Sequence, residues 1–149
     1  MVRVPFELKT GVMCLLFFVC GCGSSTVPEL PSSVFQLRTI GAAYGKATTE
    51  LDRPPQNKEE LMLYLKDAAK GYDNPADILR SKVDGEEFVI HWGVDNRNAP
   101  PKPDDIPVLA YEKHGQGGKR AVLQYRSVKI VTDEKFSEMP FPPPYKAPL

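Results

Sequence analysis

The stretch EFVIHWGV, residues 87–94, is where the pattern along the chain changes from a helical period to a period of two. Its apolar side chains fall on alternate positions: Phe88, Ile90, Trp92 and Val94. Such alternation is typical of a β-strand with one buried face, so we expect Trp92 to be largely buried. His91 lies on the other face, where we expect a half-exposed side chain.

The residues before this stretch have the period of a helix. In the first segment the apolar positions are Val34, Leu37, Ile40, Tyr44 and Ala47. Ser32 or Ser33 can cap this helix, and the segment DRPP (52–55) ends it. A capping box at 57–60 predicts a second helix, and the dipeptide at 74–75 predicts a short third turn. The apolar face of the second helix is Leu61, Tyr64, Leu65 and Ala68.

The residues after this stretch predict more strands, at 108–113, 121–124 and 128–132. The last two either form a tight hairpin about Tyr125–Ser127 or continue as one bent strand. Asp133 can cap a last short helix. The order of helices followed by strands predicts an α+β fold, with N-terminal helices packed on a small antiparallel β-meander.

The N-terminal residues 1–21 predict an export signal. Arg3 and Lys9 give it a positive start, and GVMCLLFFV (11–19) is an apolar run of nine residues. A signal-peptide core has about 7–15 apolar residues, whereas a membrane-spanning helix needs about 20. The run is therefore too short to span a membrane.

The segment VCGC (19–22) resembles the lipobox of bacterial lipoproteins. Val19 occupies the aliphatic position, Gly21 the small residue before the cleaved bond, and Cys22 the position that receives the lipid. The resemblance implies a lipid-anchored membrane protein of the bacterial cell envelope, with Cys22 as its lipidation site. Cleavage after Gly21 removes the other two cysteines, so neither a disulfide nor a metal–thiolate site is expected.

Four parts follow from these patterns: a signal peptide at 1–21, a tether at 22–31, one α+β domain at 32–138 and a proline-rich tail at 139–149. The nine tether residues after Cys22 (23–31) span about 30 Å when fully extended, which keeps the domain near the membrane. Residues 22–149 carry 17 basic and 18 acidic side chains, so nothing attracts the domain to nucleic acid. The tail contains PPPY (142–145), which we attribute to chance similarity with WW-domain ligands.

Few residues suggest chemistry. His91 and His114 are the only histidines, and no nucleophile motif or phosphate-binding loop is present. We therefore predict no catalytic residue, no cofactor and no metal site, and we expect replacement of either histidine to change stability only slightly. One polar loop leaves a calcium site open as the less favoured alternative to a purely structural loop. Its oxygen-bearing side chains are Asp95, Asn96, Asn98, Asp104 and Asp105.

The segment VFQLRTIGAAYGKATTELDRPPQNKEELMLYL (34–65) resembles the start of the globular part of prepilin-like proteins, the type II secretion pseudopilins and their relatives. The later VLAYEK, HGQGG, AVLQ and SVKIVTDEKF resemble their C-terminal hairpin. The Asp-Gly turn of that group reads Gln124-Tyr125-Arg126 here, and the prepilin cleavage motif and long apolar helix are missing. The resemblance implies a pilin-like sheet on a helix, put to another use.

These observations predict a non-catalytic interaction or scaffold module of the cell envelope, anchored by lipid and bound to an unidentified envelope protein. Two alternatives stay open. One is an envelope enzyme with an unrecognised Asp, Glu or His site, and the other is an accessory subunit of a secretion or pilus-like assembly.

Overall fold

A computed structural model describes residues 32–70, 72–98, 100–102 and 105–148. The predicted signal peptide, the lipidation site at Cys22, the tether and Asp104 lie outside the described residues. Within them the α+β prediction is confirmed. The elements are helix α1 (Ser32–Glu50), helix α2 (Lys58–Ala68), a 3-10 helix (Pro75–Leu79), strands β1 (Val89–Ile90), β2 (Val108–Tyr111), β3 (Lys119–Gln124) and β4 (Ser127–Thr132), and helix α3 (Asp133–Ser137).

The four strands form one antiparallel sheet in the order β1-β2-β3-β4. Strands β3 and β4 pair without interruption, from Lys119 opposite Thr132 to Gln124 opposite Ser127. The turn between them places Tyr125 at a positive φ of 53°. Of the two arrangements that the sequence left open, the tight hairpin is therefore the one observed.

Helix α1 lies along one face of the sheet. All five of its predicted apolar positions are buried, from Val34 to Ala47, together with Leu61 and Leu65 of α2 and Leu123 of β3. The other face of the sheet carries a second, smaller cluster. That cluster consists of Val108, Tyr111, Val122 and Phe136, with Met139 and Phe141 against it. The sheet is thus covered on both faces.

The helix ends follow the sequence signals closely but not everywhere. The side chain of Asn57 accepts a hydrogen bond from the backbone N–H of Glu60 at 2.9 Å, so this cap is confirmed. Asn74 caps the 3-10 helix in the same way. Thr132, one residue before the predicted Asp133, caps α3. In the last turn of α2 it is Ala69, not Ala68, that is buried.

The start of α1 differs from its prediction. Ser32 and Ser33 both lie within the helix. The Ser33 hydroxyl is buried and has no hydrogen-bond partner among the described residues, so neither serine acts as the expected cap there.

The stretch 87–94 is a strand for only two residues, Val89–Ile90. Gly93 then takes a positive φ of 75°, and its N–H donates to the carbonyl of Pro55 at 2.9 Å, which directs the chain away from the sheet. As a result the alternation breaks down. Trp92 is only half-buried, whereas His91 is buried.

The C-terminal residues 139–148 lie against the domain. The N–H of Val108 donates to the carbonyl of Pro140 at 2.9 Å, and Pro142 is buried. The Tyr145 hydroxyl accepts from the Trp92 N–H at 3.1 Å and donates to the Trp92 carbonyl at 3.2 Å. These contacts place the tail over the end of β1.

One ion pair at the start of α2 makes the stability of the fold depend on pH. Two nitrogens of Arg53 donate to the Glu60 carboxylate at 2.9 Å, and the Gln56 N–H donates to it at 3.0 Å. These bonds, those from Arg53 first, lower the pKa of Glu60 from 4.5 to about 2. A group with a depressed pKa stabilises the fold above its unfolded pKa and loses that effect as the pH falls through its folded pKa.

Glu60→Gln is therefore expected to lower the urea midpoint at neutral pH, and the difference from wild type should shrink as the pH falls from 4.5 toward 2. The exposed Glu59→Gln in the same helical turn is the control, because it keeps the bonds of Glu60. A difference between Glu60→Gln and wild type that stays constant over this pH range would contradict the assignment.

Candidate functional site

A groove of about 530 Å³ follows the outward side of α1. We call it the α1 groove. Helix α1 contributes Arg38, Gly41, Ala42, Gly45, Lys46, Thr49 and Glu50, and the facing wall consists of Asn96, Arg97, Leu123 and Arg126. The facing wall thus combines the chain that follows β1 with the β3–β4 hairpin.

Two glycines expose the helix backbone in this groove, for different reasons. A Cβ at Gly41 would lie 3.1 Å from the Leu123 side chain, so Gly41 lets α1 approach β3 closely. A Cβ at Gly45 would have nothing within 4 Å. Glycine inside a helix costs about 0.8–1 kcal/mol relative to alanine. Packing explains Gly41, whereas no described contact explains Gly45.

Two of the cations that line the groove are neutralised by neighbouring carboxylates. Arg97 pairs with Asp95 at 2.6 Å and with Asp52 at 2.7 Å. These bonds raise the pKa of Arg97, and those from Arg97 lower the pKa of Asp95. Lys46 lies 3.2 Å from the Asp67 carboxylate. With Glu50, which lies 3.9 Å from Lys46, four carboxylates surround these two cations, so this part of the groove has an excess of negative charge.

The other two cations that line the groove, Arg38 and Arg126, have no such carboxylate neighbour among the described residues. Arg38 forms no ion pair and no side-chain hydrogen bond with any described residue. The guanidinium of Arg126 lies over the ring of Tyr125, 5.2 Å from its centroid, and forms no ion pair within the described part of the chain. One comes from the helix and the other from the hairpin turn, so two uncompensated guanidinium groups line one cavity.

His91 belongs to a buried aromatic cluster on the other face of the sheet. It is 2% exposed, and its Nδ1 lies 2.7 Å from the carbonyl of Val108. The Tyr145 ring stacks on the imidazole with the centroids 4.2 Å apart, and the rings of Tyr111 and Phe141 meet it edge-on at 5.7 Å. Burial lowers the pKa of His91, against a smaller opposite effect of the bond to Val108.

The predicted half-exposed position of His91 is therefore wrong, because the C-terminal residues cover that face. The expectation that its replacement would change stability only slightly loses its basis for the same reason. His114 is exposed, as expected for a glycine-rich turn, and its backbone N–H donates to Asp84 at 3.0 Å.

In the polar loop at 95–105, Asp95 and Asp105 form hydrogen bonds within the loop. Both carboxylate oxygens of Asp95 accept hydrogen bonds from Arg97, and the Asp105 N–H closes a turn onto the carbonyl of Lys102 at 3.1 Å. In the described ranges, no group of three or more His, Cys, Asp or Glu side chains is placed to hold a metal ion.

Sequence reasoning missed one buried carboxylate, Glu112. Its oxygens accept hydrogen bonds from the Ser81 hydroxyl at 3.0 Å and from the Ala121 N–H at 2.7 Å. It borders a cavity of about 290 Å³ together with Ser33. Glu112 directly follows β2, and nothing in the local pattern distinguishes it from the exposed Lys113.

None of the described helices is long and apolar enough to cross a membrane. Comparison with known proteins gave no match: no family model, no curated protein and no solved structure is significantly similar to this chain. Any assignment of function therefore depends on the sequence motifs and on the geometry described above.

Gly45→Ala is expected to raise the free energy of unfolding by about 0.5–1 kcal/mol, because it removes the glycine cost and its Cβ meets nothing. Gly41→Ala is the control and should gain less or lose stability, since its Cβ must displace Leu123. Urea denaturation of both variants measures the difference. A Gly45→Ala protein that is less stable than wild type would contradict this account of the groove.

The burial of His91 predicts a pH-dependent stability. Its folded pKa lies below 6.5, so the unfolded chain takes up the proton first, and stability should fall as the pH drops below about 6.5. We expect His91→Phe to show a weaker fall in denaturation midpoint between neutral pH and about pH 5 than wild type. His114→Phe should keep the wild-type slope, because that side chain is exposed. Equal slopes for both variants would show that His91 is not the group responsible.

Proposed function

We propose that this protein is a lipid-anchored lipoprotein of the bacterial cell envelope whose domain acts as a non-catalytic interaction module. The lipobox resemblance around Cys22 supports the anchor. The α1 groove is the observation that supports the module, because it is concave, lies on the outside of the fold and holds two arginines that pair with no carboxylate among the described residues. Helix α1 begins at Ser32, so the domain follows the proposed anchor after only a short tether.

The hydrogen bonds and packing of the buried His91 and Glu112 favour a binding module over an envelope enzyme. The Nδ1 of His91 bonds to a backbone carbonyl, and its ring is covered by aromatic side chains. Both oxygens of Glu112 are occupied by Ser81 and by the backbone of β3. In these contacts His91 and Glu112 hold the structure together, whereas a reaction would need groups that are available to a substrate.

The pilin-like relationship is a second candidate. The order of a long helix, a second helix and an antiparallel meander is the order that the pseudopilin resemblance implies. It favours an accessory subunit of a secretion or pilus-like assembly, in which the lipid anchor would take the place of the apolar pilin helix. The two candidates differ in the neighbours they predict, since the second requires partners with pilin-like domains.

Lipidation is tested by the Cys22→Ser variant in a bacterial host. Wild type should incorporate an alkyne-labelled palmitate and remain with the membrane fraction, whereas the variant should do neither. Cys20→Ser is the matched control and should keep both properties, because Cys20 precedes the cleaved bond. Incorporation of palmitate into Cys22→Ser would rule out this anchor.

The interaction role is tested by photo-crosslinking in cells. A photoreactive amino acid at Thr49, inside the α1 groove, should give a defined adduct of constant mass. The same amino acid at the exposed Lys70, two residues after the end of α2, should not give that adduct. Identical patterns from both positions would mean that the groove is not a binding surface, and pilin-like partners in the adduct would favour the second candidate.

A further inference from the structure

We infer that the α1 groove binds an extended acidic peptide of a partner protein, with Arg38 and Arg126 pairing its carboxylates. The inference rests on the proposed function, because it names the ligand class for the same groove. It follows from three properties of the groove: its length, the distribution of its charges and the unfilled space at Gly45.

The groove is long enough for a peptide. From Arg38 to Glu50 it follows twelve residues of α1, which is about 18 Å at 1.5 Å per residue. An extended chain advances about 3.3 Å per residue, so five or six residues fit along it. The groove also has two walls, the helix and the hairpin turn. A flat membrane surface cannot enter between them, whereas a single extended chain can.

The charges of the groove select a short acidic ligand. The two arginines without a described carboxylate partner are planar forks that bind carboxylates in a bidentate manner. Glu50 also lines the groove, and Asp52 and Asp95 pair with Arg97. These carboxylates would repel a uniform polyanion such as nucleic acid. A short peptide with a few acidic residues, placed at Arg38 and Arg126, avoids this repulsion.

The floor of the groove fits a peptide main chain. Leu123 is buried at its base, and Gly41 closes the contact between the helix and that side chain. Gly45 leaves a gap that no described side chain fills. A ligand can therefore approach the helix backbone more closely at Gly45 than at a residue that carries a Cβ. This accounts for a glycine that packing within the fold does not require.

The test measures binding of a fluorescein-labelled hexapeptide, in which acidic residues alternate with leucine, to the full chain in a nonionic detergent. Saturable binding is expected. Arg38→Ala combined with Arg126→Ala should weaken it by about tenfold or more, because charge-assisted bonds are lost. Lys66→Ala combined with Lys70→Ala removes the same charge from exposed positions in and just after α2 and should change binding by less than about twofold.

A steric variant gives a second readout that does not change the charge. Gly45→Leu places a side chain in the gap, where a Cβ meets nothing in the fold, so we expect a folded protein with at least about fivefold weaker peptide binding. Circular dichroism and the denaturation midpoint confirm folding. A folded Gly45→Leu protein with wild-type affinity would overturn the proposed position of the peptide.

Three comparison ligands decide the ligand class. A hexapeptide with glutamine in place of the acidic residues should bind at least about tenfold more weakly, and inorganic phosphate should not compete at equal concentration. Vesicles of anionic phospholipid should not displace the peptide. Equal binding of the neutral peptide, displacement by vesicles, or equal loss in the Lys66 and Lys70 control would each overturn the inference.

The inference and the proposed function fail separately. If the acidic peptide does not bind while Thr49 still gives its specific adduct, the ligand class is wrong and the interaction module stands. If Cys22 is not lipidated and Thr49 gives no specific adduct, the proposed function fails, whatever the peptide does in vitro.

Discussion

The hydroxyl of Tyr44 joins helix α1 to the irregular chain that follows β1. Both the aromatic cluster around His91 and the α1 groove depend on this contact. Tyr44 is 0% exposed; its hydroxyl accepts from the Val94 N–H at 3.0 Å and lies 3.1 Å from the Val94 carbonyl, to which it can donate. Burial raises the pKa of Tyr44, so the hydroxyl keeps its proton and remains a donor. His91 precedes Val94 and Arg97 follows it. A single buried phenol therefore sets the position of the aromatic cluster and of one wall of the α1 groove.

Helix α1 also supplies a second polar anchor to the same connection. The Gln36 amide donates to the carbonyl of Arg80 at 2.7 Å and accepts from the N–H of Lys82 at 3.1 Å. Gln36 and Tyr44 are two turns apart on the buried side of the helix, where an apolar residue would be the ordinary choice. Because much of the connection between α2 and β2 is irregular, its backbone groups need partners from elsewhere. These two side chains supply some of them, so α1 organises the fold by hydrogen bonds as well as by apolar contact.

Local signals in the sequence were sufficient for the buried face of α1 and for the Asn57 cap, which depend on residues a few positions apart. They left the β3–β4 hairpin as one of two arrangements, and the pairing of the two strands decides between them. His91 was misplaced because the distant Tyr145 stacks on its ring and covers that face. Trp92 was misplaced because Gly93, bonded to the carbonyl of Pro55, turns the chain away from the sheet. A period of two describes a strand with one covered face, and this sheet has both faces covered. The α1 groove escaped prediction for the same reason, since Arg38, Arg97 and Arg126 meet only in the folded chain.

Under the proposed anchoring, the groove and the membrane act on the same helix. The tether would join the first turn of α1, and Arg38 lies six residues further on, about 9 Å along the helix axis. With a tether of about 30 Å, Arg38 would stay within about 40 Å of the lipid. A partner bound there would lie near the membrane, which favours another protein of the envelope. Because Tyr44 and Gln36 fix α1 to the rest of the domain, tension on the tether would reach the wall of the groove through one continuous helix.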